Sequence, residues 1–510
     1  MPRDYHGRTP SLTKLNWAAF SVDETNRETN FPYDIAVSQD ATPFDFMFPE
    51  LQQPEMLLPQ MSEPANGGRP IDTRRALMWL GATMGESAAY CPPDSLIPSV
   101  YTYFGQFVDH DITLETRSDG LANLSDPNLQ PLALETIRAE IKNGRSPEMD
   151  LDNVYYRPAP RVNSKMVLGR VSNGGGRPRG KDDRNDLPRA PRNPDDPRTD
   201  RAALIGDQRN DENLIIAQLH VAFLRAHNAI ADSGRTFDDA QRLLRQHYQW
   251  IIVRDFLPRI CDPWIVSDVL LHGNRVFLPA KDNLYMPLEF SAAAYRFGHS
   301  MVRNQYRYND NFRGATLADL FSLTALSGRL RNVDSLPESW IIEWDNFIDG
   351  GANRARPIDT ALSASLFDLT AFGGTMPIEA RLPVRNLLRG YLLRLPTGQA
   401  VADALGITRM TAEEIEAVAA AVSEEQLRAL RAGGFSVRTP LWYYILAEAA
   451  AGGADRLGPV GSTIVAEVLI GLIRGGKDSI LRERNWQPTL GGTSGRFDLR
   501  DLLELADVLN

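Results

Sequence analysis

The segment from Glu212 to Ala231, ENLIIAQLHVAFLRAHNAIA, constrains this chain more than any other. Wound at about 3.6 residues per turn, it carries apolar residues around most of its circumference, leaving no broad polar face to meet water. Such a helix is stable only inside a shell of other elements, so the chain must build a large body around it. The flanking sequence supplies helices for that shell. Thr236-Phe-Asp-Asp239 is close to a capping box and opens a segment with Leu243, Leu244, Tyr248, Ile251, Ile252 and Phe256 at helical spacing, which predicts packing by one face. Thr411 to Glu414 caps another helix, Thr439-Pro440 opens LWYYILAEAAA, and STIVAEVLIGLIR ends at Gly475-Gly476. Strand patterns are few and short, and no repeat recurs at solenoid or propeller periods. The predicted fold class is therefore mainly α.

Length, 510 residues, admits one large helical domain or several smaller ones. Residues 1–75 are rich in Pro, Asn and Asp with scattered aromatics, which predicts an irregular arm laid over a helical domain of residues 76–510. Within 157–201, SNGGGRPRGKDDRNDLPRAPRNPDDPRTD alternates Gly, Pro and charge and predicts a mobile surface loop. With 43% apolar and 24% charged residues and no run read as long enough to span a bilayer, the chain is expected to be soluble. A net charge of −10 would repel phosphate backbones on average, which argues against nucleic acid or anionic membrane as partner. Cys91 and Cys261 give neither a disulfide framework nor zinc-site spacing. The N-terminal MPRDYHGRTPSLTKLNW lacks the marks of a secretory leader, so a cytoplasmic location is expected, with leaderless export as the alternative.

Only seven histidines occur, so each can be weighed singly. His6, His247 and His272 sit in no chemical pattern and receive no role. His110 lies in YTYFGQFVDHDITLE with Gln106 one turn earlier on the same helix face. Adjacent helical residues diverge by about 100°, so Asp109 and Asp111 must serve different neighbours. Three polar groups in an aromatic and apolar segment are costly without partners, which favours a functional reading over a solvated face.

GQFVDHD is similar to the distal-histidine motif of animal-type haem peroxidases, in the peroxidase-cyclooxygenase superfamily, and the chain resembles a bacterial-type member. The resemblance implies that Gln106 and His110 line the distal haem face, that Asp109 esterifies a haem methyl, and that Asp111 binds calcium. In that family a distal arginine precedes a second ester-forming glutamate by three residues, and GDQRNDEN has Arg209 and Glu212 so spaced. Read alone, these are equally an ion-pairing loop arginine and an acidic helix start. FLRAHN resembles the family's arginine-x-histidine-asparagine signature, which makes His220 and His227 structural members of that helix. AAYRFGHSMV resembles the axial-ligand segment and assigns His299 to the haem iron, with Arg296 at one propionate. In RLPVRNLLRGY, Arg389 matches a second propionate-binding arginine, and Asn386 matches the partner that receives the His299 Nδ1–H and fixes its tautomer. RSPEMDLDNVYY, otherwise a surface acidic turn, resembles the calcium loop and places Ser146, the carbonyl of Glu148, Asp150 and Asp152 with Asp111.

The resemblance runs from FDFMFPEL to FDLRDLLELA and implies a large helical haem peroxidase domain with haem b and calcium as cofactors. Asn213 stands where some members form a sulfonium link, which excludes that link, and Thr113 replaces an aspartate that contacts a propionate. The implied reaction is reduction of hydrogen peroxide through a ferryl intermediate, with His110 as acid and base, Arg209 stabilising developing charge and Gln106 holding distal water or halide. Halides, thiocyanate or phenolic donors would then be oxidised, consistent with a part in the response to oxidative stress. Two other readings stay open. A fatty-acid dioxygenase would use a radical tyrosine three residues before the proximal histidine, but Arg296 is there and Tyr295 is one residue earlier. A peroxinectin-like adhesion protein would keep the body as a scaffold.

Overall fold

The computed structural model describes residues 22–23, 42–51, 72–87, 89–117, 124, 126–156, 159–172, 183–196, 199–279, 283–369, 381–491 and 495–509. Most of the N-terminal arm predicted over 1–75 lies outside the described residues, as do 173–182 within the predicted loop. The helices that frame the site are numbered here in chain order. They are α1 (Thr73–Ala82), α2 (Val100–Ile112), α3 (Leu214–Asp232), α4 (Phe237–Ile251), α5 (Leu382–Leu392), α6 (Leu441–Ala451) and α7 (Pro459–Gly475). The body is mainly α, as the periodicity predicts.

Helix α3 is the axis of the core. Every side chain from Leu214 to Leu224 is buried, and α2, α4 and the C-terminal helix Leu499–Leu505 pack around it. Its 19 residues are apolar enough to cross a membrane by length and composition, which the sequence reading did not anticipate, yet 83% of its most apolar window is enclosed by protein. Its apolarity answers to the core. The boundaries follow local chemistry. Asn213 caps α3 by accepting from Ile216 N at 3.1 Å, and Thr236 caps α4 by accepting from Asp239 N at 3.1 Å. Thr411 and Glu414 close the expected capping box of helix Ala412–Val422. Pro440 precedes α6 and α7 ends at Gly475, both as predicted, while α7 begins at Pro459, ahead of the expected segment that opens at Ser462.

Two irregularities position the site. Helix α4 runs on through a π turn, Ile252–Phe256, whose Asp255 accepts from the Tyr101 hydroxyl at 2.7 Å and so anchors the first turn of α2. A sheet of very short strands pairs Glu115–Arg117, just beyond α2, with Lys142–Asn143, then Thr42–Asp45, then Met286–Pro287, which leads toward His299. This ladder holds the end of α2 in register with the chain entering the His299 segment. Part of the stretch expected to be a mobile loop is packed instead. Leu187 is buried, and Arg189 bridges Asp186 and Asp211, each at 2.8 Å, because its burial demands carboxylate partners.

Candidate functional site

Every residue of α2 except Gly105 is buried. The helical spacing aims Gln106 and His110 one way and Asp111 another, as the sequence requires. His110 is fully buried, with Nδ1 at 2.8 Å from Asn210 Oδ1 and Nε2 without a partner among the described residues. Burial, reinforced by the charge of Arg209, pushes its pKa down to about 3, so the ring is neutral at physiological pH. The Gln106 amide donates to Glu212 Oε2 at 3.3 Å and its carbonyl accepts from Asn213 Nδ2 at 3.2 Å. Asp109 accepts from the Thr113 hydroxyl at 2.9 Å through Oδ1, while Oδ2 has no partner among the described residues. Thr113 thus grips the aspartate that precedes the histidine. Burial raises Asp109 to about 7 and Glu212 to about 8.

Arg209 lies over this wall in a short 3-10 turn, Gln208–Asp211. Its Nε and Nη2 bond Asp207 at 3.0 and 2.6 Å, and Nη2 also donates to the Thr113 carbonyl at 2.5 Å, leaving Nη1 without a partner among the described residues. Asp207 in turn receives Arg145 Nη2 at 2.7 Å, and Arg145 Nη1 reaches Asp152 at 3.3 Å. Arg145 is fully buried. Gly206 makes this approach possible, since a Cβ there would come within 2.3 Å of the Asp152 carbonyl. Neither Arg145 nor Asp207 was singled out from sequence; each draws its meaning from partners distant along the chain.

His299 ends a 3-10 helix, Ala294–His299, in which residues three apart eclipse, so Arg296 stacks on the histidine's side. Asn386 of α5 meets His299 Nδ1 at 2.9 Å, the predicted pairing. Its direction is reversed, however. Arg296 Nη1 donates to Asn386 Oδ1 at 2.5 Å, and since a guanidinium can only donate, the amide must turn Nδ2 toward the ring. Asn386 therefore donates and His299 Nδ1 accepts. Burial, then Arg296 and Arg385, hold the His299 pKa well below the usual histidine range. Arg296 is anchored by Asn386 and by the Ser291 carbonyl at 3.2 Å, with Nη2 unpartnered among the described residues. Arg389, expected at a propionate, forms an ion pair with Glu115, because a buried guanidinium takes the carboxylate within reach, and its Nε has no partner among the described residues.

The two walls meet at one cavity. Gln106 and Asp109 of α2 line it together with Tyr295, Phe297, Gly298 and His299. Buried polar atoms without a partner among the described residues include Asp109 Oδ2 on this lining, His110 Nε2 and Arg296 Nη2 on the residues next to Asp109 and Tyr295, and Arg209 Nη1, whose guanidinium reaches the His110 carbonyl. Each would cost roughly 1–3 kcal/mol if never satisfied. The bare Nε2 of His110, the Asp109 carboxyl and the guanidinium donors of Arg209 and Arg296, beside an apolar slot that His299 also lines, fit a flat, metal-bearing, anionic group such as haem. The Tyr295 hydroxyl shares the cavity, and its ring stacks on Phe290 with centroids 4.6 Å apart.

Behind the distal wall, carboxylate oxygens of Asp111, Asp150 and Asp152 lie within 4.8 Å of one another. Left-handed backbone at Met149 and Leu151, with φ of 51° and 59°, turns the alternate carboxylates inward. Burial, then the charge of Asp150, raises Asp111 to about 7, a penalty that a divalent cation would relieve. Ser146 N donates to Asp152 Oδ2 at 3.4 Å, whereas the Glu148 carboxylate turns away to accept from Lys477 N at 2.8 Å. Among the predicted calcium ligands, three carboxylates are thus brought together, and of Glu148 only the carbonyl is left as a candidate.

Buried His110 and His299 thus stand on the two segments, α2 and Ala294–His299, that line one slot in a helical body. A family model described as animal haem peroxidase matches residues 135–475, and the chain belongs to that family. The family implies haem binding. The match begins beyond α2, so the His110 segment lies outside it. A peroxidase-like protein of Margaritifera margaritifera is 30% identical over 254 residues, covering 40% of this chain and 31% of that protein. Mouse (Mus musculus) thyroid peroxidase is 30% identical over 139 residues, covering 24% of this chain and 15% of the relative. The chain thus spans less than a third of the length of these curated relatives. Among solved structures, peroxidase A of Dictyostelium discoideum superposes with a TM-score of 0.57 at 16% identity, covering 86% of this chain and 88% of that one. Fatty acid alpha-dioxygenase of Oryza sativa gives 0.54 at 13%, covering 81% and 75%. At such identities these likenesses speak for the fold alone.

Proposed function

We propose that this protein is a haem-dependent peroxidase that reduces hydrogen peroxide and oxidises halides, thiocyanate or phenolic donors. The observation that carries this reading is the pair of buried histidines, His110 and His299, each with Nδ1 engaged by a carboxamide, so that Nε2 is the nitrogen each ring turns away from that partner. His299 Nε2 would hold the iron. With Nδ1 accepting from Asn386, the neutral ring carries its proton on Nε2, and that proton would be released when the nitrogen takes the metal. Haem, when bound, supplies the electrons that split the O–O bond and recovers them from the donor.

The chain's own residues manage the protons and charge. His110, neutral and bare at Nε2, takes the proton from the oxygen of peroxide nearer the iron and returns it to the departing oxygen, which leaves as water. Arg209 Nη1, with its sister nitrogens held by Asp207 and Thr113, donates to that departing oxygen as negative charge grows on it. Gln106, fixed between Glu212 and Asn213, orders water or a small anion beside His110. Arg296 and Arg389 are the cations of this reading for the propionates. Asp109 and Glu212 are the carboxyls available for ester links, and Asp111, Asp150 and Asp152, with Ser146 and the Glu148 carbonyl, form the calcium site of this reading.

The test is the electronic spectrum of haem-reconstituted protein before and after one equivalent of hydrogen peroxide. The wild type should take up haem and change its Soret band on peroxide addition. His299→Ala should lose haem, and His110→Ala should keep haem but react on the order of 10²–10⁴-fold more slowly. Absence of haem uptake, or an unimpaired His110→Ala variant, would overturn the reading. Tyr295 supports a second one, a fatty-acid dioxygenase, because its phenol lines the slot although it is one residue off the expected position. Oxygen uptake with a fatty acid, abolished in Tyr295→Phe, would favour that alternative.

A further inference from the structure

The Asn210 side chain lies between two buried histidines. Its Oδ1 is 2.8 Å from His110 Nδ1 and its Nδ2 is 3.0 Å from His220 Nδ1, and all three residues are fully buried. A carboxamide accepts on one end and donates on the other, so it cannot offer the same polarity to both rings. One imidazole must therefore carry its proton on Nδ1 while the other leaves Nδ1 bare. With Oδ1 toward His110, that ring is protonated at Nδ1 and bare at Nε2.

We propose that Asn210, itself held by His220, sets the tautomer of His110 and thereby decides whether the distal imidazole meets peroxide as a base. This rests on the peroxidase reading above. Three further observations support it. The Asn210 backbone is fixed by its N–H to Asp207 O at 3.0 Å, so the amide plane can do little but rotate about its own bond. His220 Nε2 bonds nothing among the described residues, so the ring's hydrogen bonding is committed to Asn210. Packing alone would be met more cheaply by an apolar residue there, since a buried imidazole with an unsatisfied nitrogen is costly. Finally, Phe107 meets the His220 ring edge-on, with centroids 6.1 Å apart, which fixes the ring plane that faces the amide. The charge of Arg209 acts on His110, and a guanidinium offers only donors, which favours a bare Nε2 over a protonated one. Asn210 and His220 are thus positioning residues, acting on peroxide only through His110.

The experiment is 15N NMR of the haem-free protein labelled at histidine, because protonated and bare ring nitrogens differ in chemical shift. In the wild type, His110 should carry its proton on Nδ1 and His220 on Nε2. Asn210→Asp, acceptor at both ends, should keep the His110 tautomer and reverse that of His220. Asn210→Leu should release His110 to a mixture, and His220→Phe, which leaves the amide free to turn, should do so in part. After haem loading, peroxide reaction should fall about tenfold or more in Asn210→Leu and be rescued in Asn210→Asp, within the range that general acid–base catalysis supplies. A purely structural role would put Asn210→Asp, with its buried charge, among the worst variants. A proton on His110 Nε2 in the wild type, or an unchanged tautomer in both Asn210→Leu and His220→Phe, overturns the proposal. Since the NMR arm needs no haem, failure of haem uptake would overturn the peroxidase reading and leave the tautomer result standing.

Discussion

The two walls of the slot are built on opposite plans. The distal wall is a mesh: Arg145 and Arg209 both bind Asp207, Arg145 also reaches Asp152, and Arg209 reaches the carbonyls of His110 and Thr113. The proximal wall is a single file in which Arg296 bonds Asn386 and Asn386 bonds His299. A mesh of buried charges holds each member from several sides, but losing one strands the others without compensation. A single file costs little to build and little to cut, yet every cut reaches the last member. Stability should thus depend on the distal side, and ligand geometry on the proximal.

The most severe test of that contrast is Arg145→Ala. It strips Asp152 of its guanidinium partner and leaves Asp207 to Arg209 alone, and should cost about 3–5 kcal/mol, read from the urea midpoint. A loss below about 1 kcal/mol would erase the distinction between the walls. Asp207→Asn should come next and carries a pH signature. Burial would raise the Asp207 carboxyl, but Arg145 and Arg209 overcome it and hold the group well below the usual carboxylate range. A carboxyl so depressed stabilises the fold above its unfolded pKa of about 3.9 and loses that contribution as pH falls toward the folded value. The difference between wild type and Asp207→Asn should be full at neutral pH and shrink below about pH 4. Urea titrations across that range would show a constant gap if Asp207 is not charged in the fold.

Asn386→Leu should behave in the contrary manner. Its unfolding midpoint should move little compared with Arg145→Ala, while haem affinity should fall roughly 10–100-fold as His299 loses its orienting partner. A large stability loss without a change in haem retention would reverse the assignment of the two walls. The smallest effect is expected for Thr113→Val, which removes one hydroxyl from Asp109 at 2.9 Å and should cost about 0.5–1.5 kcal/mol. Thermal melts at neutral pH would detect it.

The elements of the site were legible where the chemistry is local. His110 with Gln106 and Asp109, and Arg209 with Glu212, stand at helical spacing, so their side chains share a wall for reasons contained in a few residues. The acidic loop was legible too, and its carboxylates do gather on Asp111. What escaped was everything fixed by a distant partner. Arg145 reads as one basic residue in a polar loop until it meets Asp207, 62 residues away. Arg389 matched a propionate-binding position but is paired with Glu115. The partner of His299 was identified correctly, and its polarity was not, because that polarity depends on Arg296 claiming the amide oxygen.

By itself, then, the sequence determined the helical class, the buried axis of α3 and the caps that bound the helices. Periodicity, capping and short-range spacing are properties of neighbouring residues, and the chain cannot avoid expressing them. Only the tertiary structure decided which way each amide faces, which cation each buried carboxylate takes and which nitrogen each histidine presents. Those outcomes depend on competition among donors and acceptors brought together from far along the chain, inside a medium where an unpaired polar group is too costly to leave to chance.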